Sequence, residues 1–115
     1  MVVASGSAPQ TGGSVQPTNF WTYRNFSGNV QGRVLDITRA DGTSWQYGSL
    51  FVEFIAQDGV RHMSKTLTKT WGVKPGFTAI GAPVTNPYLR LRISPNTQPG
   101  GYAGQWCYFD LELIW

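Results

Sequence analysis

The chain has 115 residues, of which 13% are charged, 14% are aromatic and 14 are glycine, with a formal net charge of +3. That length makes one domain with a single modest core. Low charge with many aromatics excludes a disordered chain, and the thinly spread Lys and Arg exclude the dense basic patch of a nucleic-acid binder. One Cys and one His exclude an internal disulfide and a zinc cluster built on those ligands, and no apolar run reaches the ~18 residues of a membrane span. No cofactor, metal, nucleic-acid or membrane partner is therefore expected.

Residues 1–19, MVVASGSAPQTGGSVQPTN, carry no charge and are mostly small or polar. Met1-Val2-Val3-Ala4 is not a secretory signal, because no basic residue precedes it and no apolar run follows. Such a segment cannot bury enough apolar surface to offset its ordering entropy, so it is expected to be an extended arm held by a second surface, clamped by neighbouring subunits or, as the alternative, folded back on its own domain. Fully extended it would reach on the order of 60 Å. Its candidate partner-binding residues are Val2, Val3, Val15 and Pro17.

The compact domain is expected over residues 20–115. Phe20-Trp21-Thr22-Tyr23 starts it as a short strand that ends by residues 25–29. Arg33 to Arg39 follows, with Leu35 and Ile37 assigned to one side and Val34, Asp36 and Thr38 to the other. Asp41-Gly42 supplies residues that tolerate positive φ, so a hairpin turn is expected there, with Trp45 and Tyr47 on the return strand. Leu50 to Ala56 is the most continuously apolar run and reads as a central strand, covered on both faces except near Glu53. Asp58-Gly59 is a second hairpin turn. The strand after it, Val60 to Trp71, reads as an edge, because Arg61, Lys65 and Lys69 interrupt one face while His62, Ser64 and Thr66 keep the other polar. A loop-rich section surrounds Phe77–Ile80. Tyr88 to Ser94 then alternates, with Leu89, Leu91 and Ile93 inward.

The last stretch, Gln105 to Trp115, has the clearest pattern. Cys107, Phe109, Leu111, Leu113 and Trp115 form an apolar face, while Trp106, Tyr108, Asp110 and Glu112 form an amphipathic and charged one. Cys107 therefore reads as a small buried hydrophobe. No helical period of useful length appears. Short strands at this spacing predict an all-β fold, a single-domain antiparallel β-sandwich wound as a jelly roll, with a barrel as the alternative. If residues 88–94 and 105–115 were antiparallel neighbours, Arg92 would face Asp110 and Arg90 would face Glu112, beside Tyr88, Trp106 and Tyr108. That arrangement is either a small ion-pair ladder or a surface able to recognise a sugar ring or a protein.

Catalysis finds little support. The lone His62 has no nucleophile motif beside it, and Asp36 with Glu53 is the one carboxylate pair to weigh for glycoside chemistry. The acid-free basic stretch Arg61, Lys65, Lys69, Lys74 suits a solvated edge or an acidic protein surface. The expectation is a non-enzymatic structural protein of a virus or bacteriophage particle, a small capsid decoration (cement) protein located in the virion. It would dock on the major capsid protein or on itself through Arg61, Lys65, Lys69, Tyr88, Trp106 and Tyr108, while its arm ties neighbours into an oligomer. Deleting residues 1–17 would then leave a folded domain that leaves its particle. The alternative is a secreted or cell-surface carbohydrate-binding module or lectin-like domain that uses exposed Trp and Tyr.

Overall fold

A computed structural model describes residues 2–9, 19–39, 48–69, 74–83, 88–96 and 106–115. They form eight strands: β1 (Val2–Pro9), β2 (Asn19–Asn25), β3 (Val30–Arg39), β4 (Ser49–Ile55), β5 (Arg61–Thr68), β6 (Thr78–Gly81), β7 (Tyr88–Asn96) and β8 (Trp106–Ile114). All pairings are antiparallel, in two four-stranded sheets of order β1-β8-β3-β6 and β2-β7-β4-β5. These are the front and back sheets of a β-sandwich, the fold class expected from the sequence. The Asp41-Gly42 turn, the strand through Trp45 and Tyr47, and the arm residues Val15 and Pro17 lie outside the described residues.

The chain is wound as one long ribbon doubled back on itself, since β1 pairs with β8, β2 with β7, β3 with β6 and β4 with β5. The β4–β5 turn at the tip of this ribbon is the expected Asp58-Gly59. Gly59 takes φ +87°, a region that a side chain disfavours. Its N–H donates to the Ala56 carbonyl at 2.9 Å, and the Val60 N–H donates to the Asp58 carboxylate at 3.0 Å.

Alternation on β7 and β8 builds the core. Leu89, Leu91 and Ile93 from the back sheet meet Cys107, Phe109, Leu111 and Leu113 from the front, all buried. Each large aliphatic side chain so buried stabilises the fold by about 1.5–3 kcal/mol relative to exposure. Phe26 lies at one end, edge-on to Phe54 at 5.0 Å and tilted against Trp115 at 4.6 Å. Gly32 lets three side chains close over β3: an added Cβ would stand 3.0 Å from Leu113 and Leu67 and 3.1 Å from Ile80.

Three expectations are corrected, and part of the leading segment is placed. Residues 2–9 are an edge strand of the front sheet, in continuous register with β8 from Val2 opposite Leu113 to Pro9 opposite Trp106. This part of the leading segment therefore lies against its own domain, along the backbone of β8. On β3 a bulge between Val34 and Asp36 breaks the period, so Val34 and Ile37 are both buried and Leu35 is only half-buried. Strands β7 and β8 are not neighbours; they belong to different sheets, so Arg92 does not face Asp110 and Arg90 does not face Glu112. Glu53 is no exposed gap in the central strand β4, being only 4% accessible beneath Arg92 and Arg61.

Candidate functional site

Cross-strand register decides which residues share the outer face of the front sheet. Side chains directly opposite one another on an antiparallel pair lie on the same side. Asp110 is opposite Asp36 on β3 and Ser5 on β1, and Tyr108 is opposite Thr38 and Ser7. Because Cys107, Phe109 and Leu111 are turned into the core, the residues between them are turned out.

One end of this face is sealed. The Arg33 Nε donates to Glu112 Oε1 at 2.7 Å, and its Nη2 bonds the same oxygen. Phe77 lies 4.1 Å from that guanidinium, and Arg33 Nη1 reaches the Pro75 carbonyl at 3.3 Å. This cover leaves Glu112 only 6% accessible, so the expected continuous outward stripe stops there.

The other end is open. A depression of about 380 Å³ is lined by Ser5, Ser7, Asp36, Thr38, Tyr108 and Asp110. Tyr108 and Trp106 are each 54% exposed, an unusual state for large aromatics on a sheet. They stand two positions apart on the strand, about 7 Å. The polar groups beside them are already oriented: the Ser5 hydroxyl donates to Asp110 Oδ1 at 2.5 Å, and the Thr38 hydroxyl donates to Asp36 Oδ2 at 3.0 Å. Lys69 places its Nζ 2.7 Å from Asp36 Oδ1. The face thus places aromatic planes beside oriented carboxylates and hydroxyls.

The residues singled out from the sequence separate onto opposite faces. Trp106 and Tyr108 are on the front. Tyr88, 39% exposed, is on the back, where its ring stacks on Tyr23 at 5.2 Å. Arg61 is also on the back, 3.4 Å from Glu53, and Lys65 is exposed on the edge strand β5. Lys69 does not join them as a row, because it turns to Asp36. Val2 and Val3 are register partners of Leu113 and Glu112 within β1. Asp36 and Glu53 lie on β3 and β4, in different sheets and on opposite outer faces, so the fold separates this carboxylate pair. His62 is half-buried on β5, and no group of three or more potential metal ligands occurs among the described residues.

Ser5, Ser7 and Thr38 escaped notice as site residues. Ser5 and Ser7 sit two apart, the strand signal, but within a segment whose composition reads as an arm. Thr38 and Asp36 were obscured by the bulge at Leu35, which no local pattern marks. No protein-family model matches this chain, and no curated protein or solved structure shows significant similarity to it.

Proposed function

We propose that this protein is a carbohydrate-binding domain whose site is the open end of the front sheet. The single observation that carries the reading is the half-exposed pair Trp106 and Tyr108 beside a depression lined with Asp36, Asp110, Thr38, Ser5 and Ser7. Tyr108 stacks against the apolar face of a sugar ring, and the carboxylates of Asp36 and Asp110 accept hydrogen bonds from its hydroxyls. Trp106, one step along the strand, offers a second plane to the next ring. Binding involves no covalent step.

The pairing of first with eighth, second with seventh, third with sixth and fourth with fifth strand is read here as a jelly-roll winding. That winding serves lectin domains and viral shells alike, so it supports either reading only by analogy of fold.

A second reading keeps the same stripe and changes its occupant. Trp and Tyr exposed on a polar surface also anchor protein interfaces, which supports a decoration protein on a virus or bacteriophage particle that docks through Trp106 and Tyr108. It ranks second because residues 2–9 are used within their own sheet, leaving less of the leading segment to reach a neighbour.

A glycan array probed with the wild-type protein and with Trp106→Ala separates the two. Saccharide binding that weakens at least tenfold in the variant, with an unchanged melting midpoint, supports the first reading. An empty array, together with self-association that Trp106→Ala abolishes, supports the second.

A further inference from the structure

The back sheet carries a second depression, of different chemistry. On β7 the buried Leu89, Leu91 and Ile93 alternate with the outward Tyr88, Arg90 and Arg92. A bulge in β2 between Trp21 and Arg24 breaks the pairing there and turns Tyr23 outward onto Tyr88, with the rings 17° from parallel. The Arg90 guanidinium stands 5.5 Å from the Tyr23 ring centre, and that of Arg24 stands 4.7 Å from the Trp21 ring centre. Trp21, Thr22, Tyr23, Tyr88 and Arg90 line a hollow of about 420 Å³.

We propose that this hollow binds the carboxylate of an acidic sugar residue, a uronate within a polysaccharide. A guanidinium held on an aromatic face is pre-oriented, and its planar fork matches the two oxygens of a carboxylate. Tyr88 and Thr22 add a ring plane and hydroxyl groups for the sugar itself. The proposal extends the saccharide reading to a second face, but it rests on its own geometry.

Charge spacing favours a single carboxylate over a polyphosphate backbone. A nucleic-acid strand needs a row of cations, and beyond Arg90 the row is interrupted: Arg92 and Arg61 converge on Glu53 at 2.8 and 3.4 Å.

The test is an amide-resolved NMR titration of the full chain with tetragalacturonate, and with the same tetramer as its methyl ester, which keeps the rings and removes the charge. The expected result is shifts centred on Tyr23, Tyr88 and Arg90, with affinity at least tenfold weaker for the ester. Arg90→Gln should lose the same factor, and Arg61→Gln should bind as the wild type does. Equal binding of acid and ester overturns the proposal, and because both are tested on the wild type, this outcome does not depend on how any variant folds. Acid-dependent shifts confined to Tyr108 and Asp110 overturn it too, while leaving the front site standing. Tighter binding of an eight-nucleotide oligothymidylate at the same residues also overturns it, in favour of a nucleic-acid partner.

Discussion

Asp36 on β3 and Asp110 on β8 stand directly opposite each other across the front sheet. Like charges in that position destabilise a sheet unless something offsets them. Here Lys69 sits on Asp36 and the Ser5 hydroxyl bonds Asp110. The sheet therefore retains two carboxylates on an open surface.

Removing Lys69 should expose the repulsion. Lys69→Met is expected to lower stability by about 0.5–1 kcal/mol, the range for a part-exposed ion pair. Asp110→Asn should cost less in the Lys69→Met background than in the wild type, since it then relieves an unscreened pair. A double-mutant cycle by urea denaturation measures the coupling.

The Glu53 carboxyl is held below its ordinary value of 4.5, chiefly by the Arg92 hydrogen bond, against the opposing effect of burial and with smaller help from the Arg92 and Arg61 charges. A lowered folded value means that the unfolded chain binds the proton more readily. The stabilisation is thus complete above the unfolded value and is lost as pH falls below 4.5 through the folded one. Glu53→Gln should cost about 1.5 kcal/mol at pH 7, the low end for a charged hydrogen bond, because Arg92 and Arg61 are 35% and 53% exposed and solvent screens them. Urea midpoints of the two proteins should converge as pH falls below 4.5 and through the lowered folded value.

Gly32→Ala places a methyl group against three core side chains at 3.0–3.1 Å. These ends can shift, but all three lie within one packed layer. A loss of about 1–3 kcal/mol is expected from overpacking, read as a fall in the melting midpoint. Gly59→Ala, in open space but at φ +87°, should cost about 1 kcal/mol through backbone strain alone.

Deleting residues 1–9 removes β1 and leaves β8 as an unprotected edge. The expected outcome is a lower melting midpoint and concentration-dependent association, because β8 then presents a free row of N–H and C=O groups. A shortened chain that melts and associates as the full one does would show that β1 contributes little to the sheet.

How much of this was legible beforehand varied with the source of each signal. The period of two on β8 and β7 comes from burial on one face, so Cys107, Phe109, Leu111, Leu89, Leu91 and Ile93 could be assigned inward directly. Asp58-Gly59 was legible because the turn chemistry is local. The partners of a strand are not local: nothing in Arg92 or Glu112 says that one will meet Glu53 and the other Arg33 across 39 and 79 residues of sequence. Strand β1 was hidden because small residues paired with a long neighbour do not need strong strand propensity; the backbone ladder holds them. The bulge on β3 shifts Asp36 and Thr38 into line with Asp110 and Tyr108, and no local pattern in the sequence marks that shift.

The saccharide reading stands or falls on Tyr108. The most direct measurement is calorimetric titration of the best neutral oligosaccharide from a glycan array into wild type, Tyr108→Ala and Asp110→Asn, with melting curves as controls. Tyr108→Ala should weaken binding at least tenfold and Asp110→Asn severalfold, with melting midpoints within a few degrees of wild type. Affinity unchanged in both variants would contradict it.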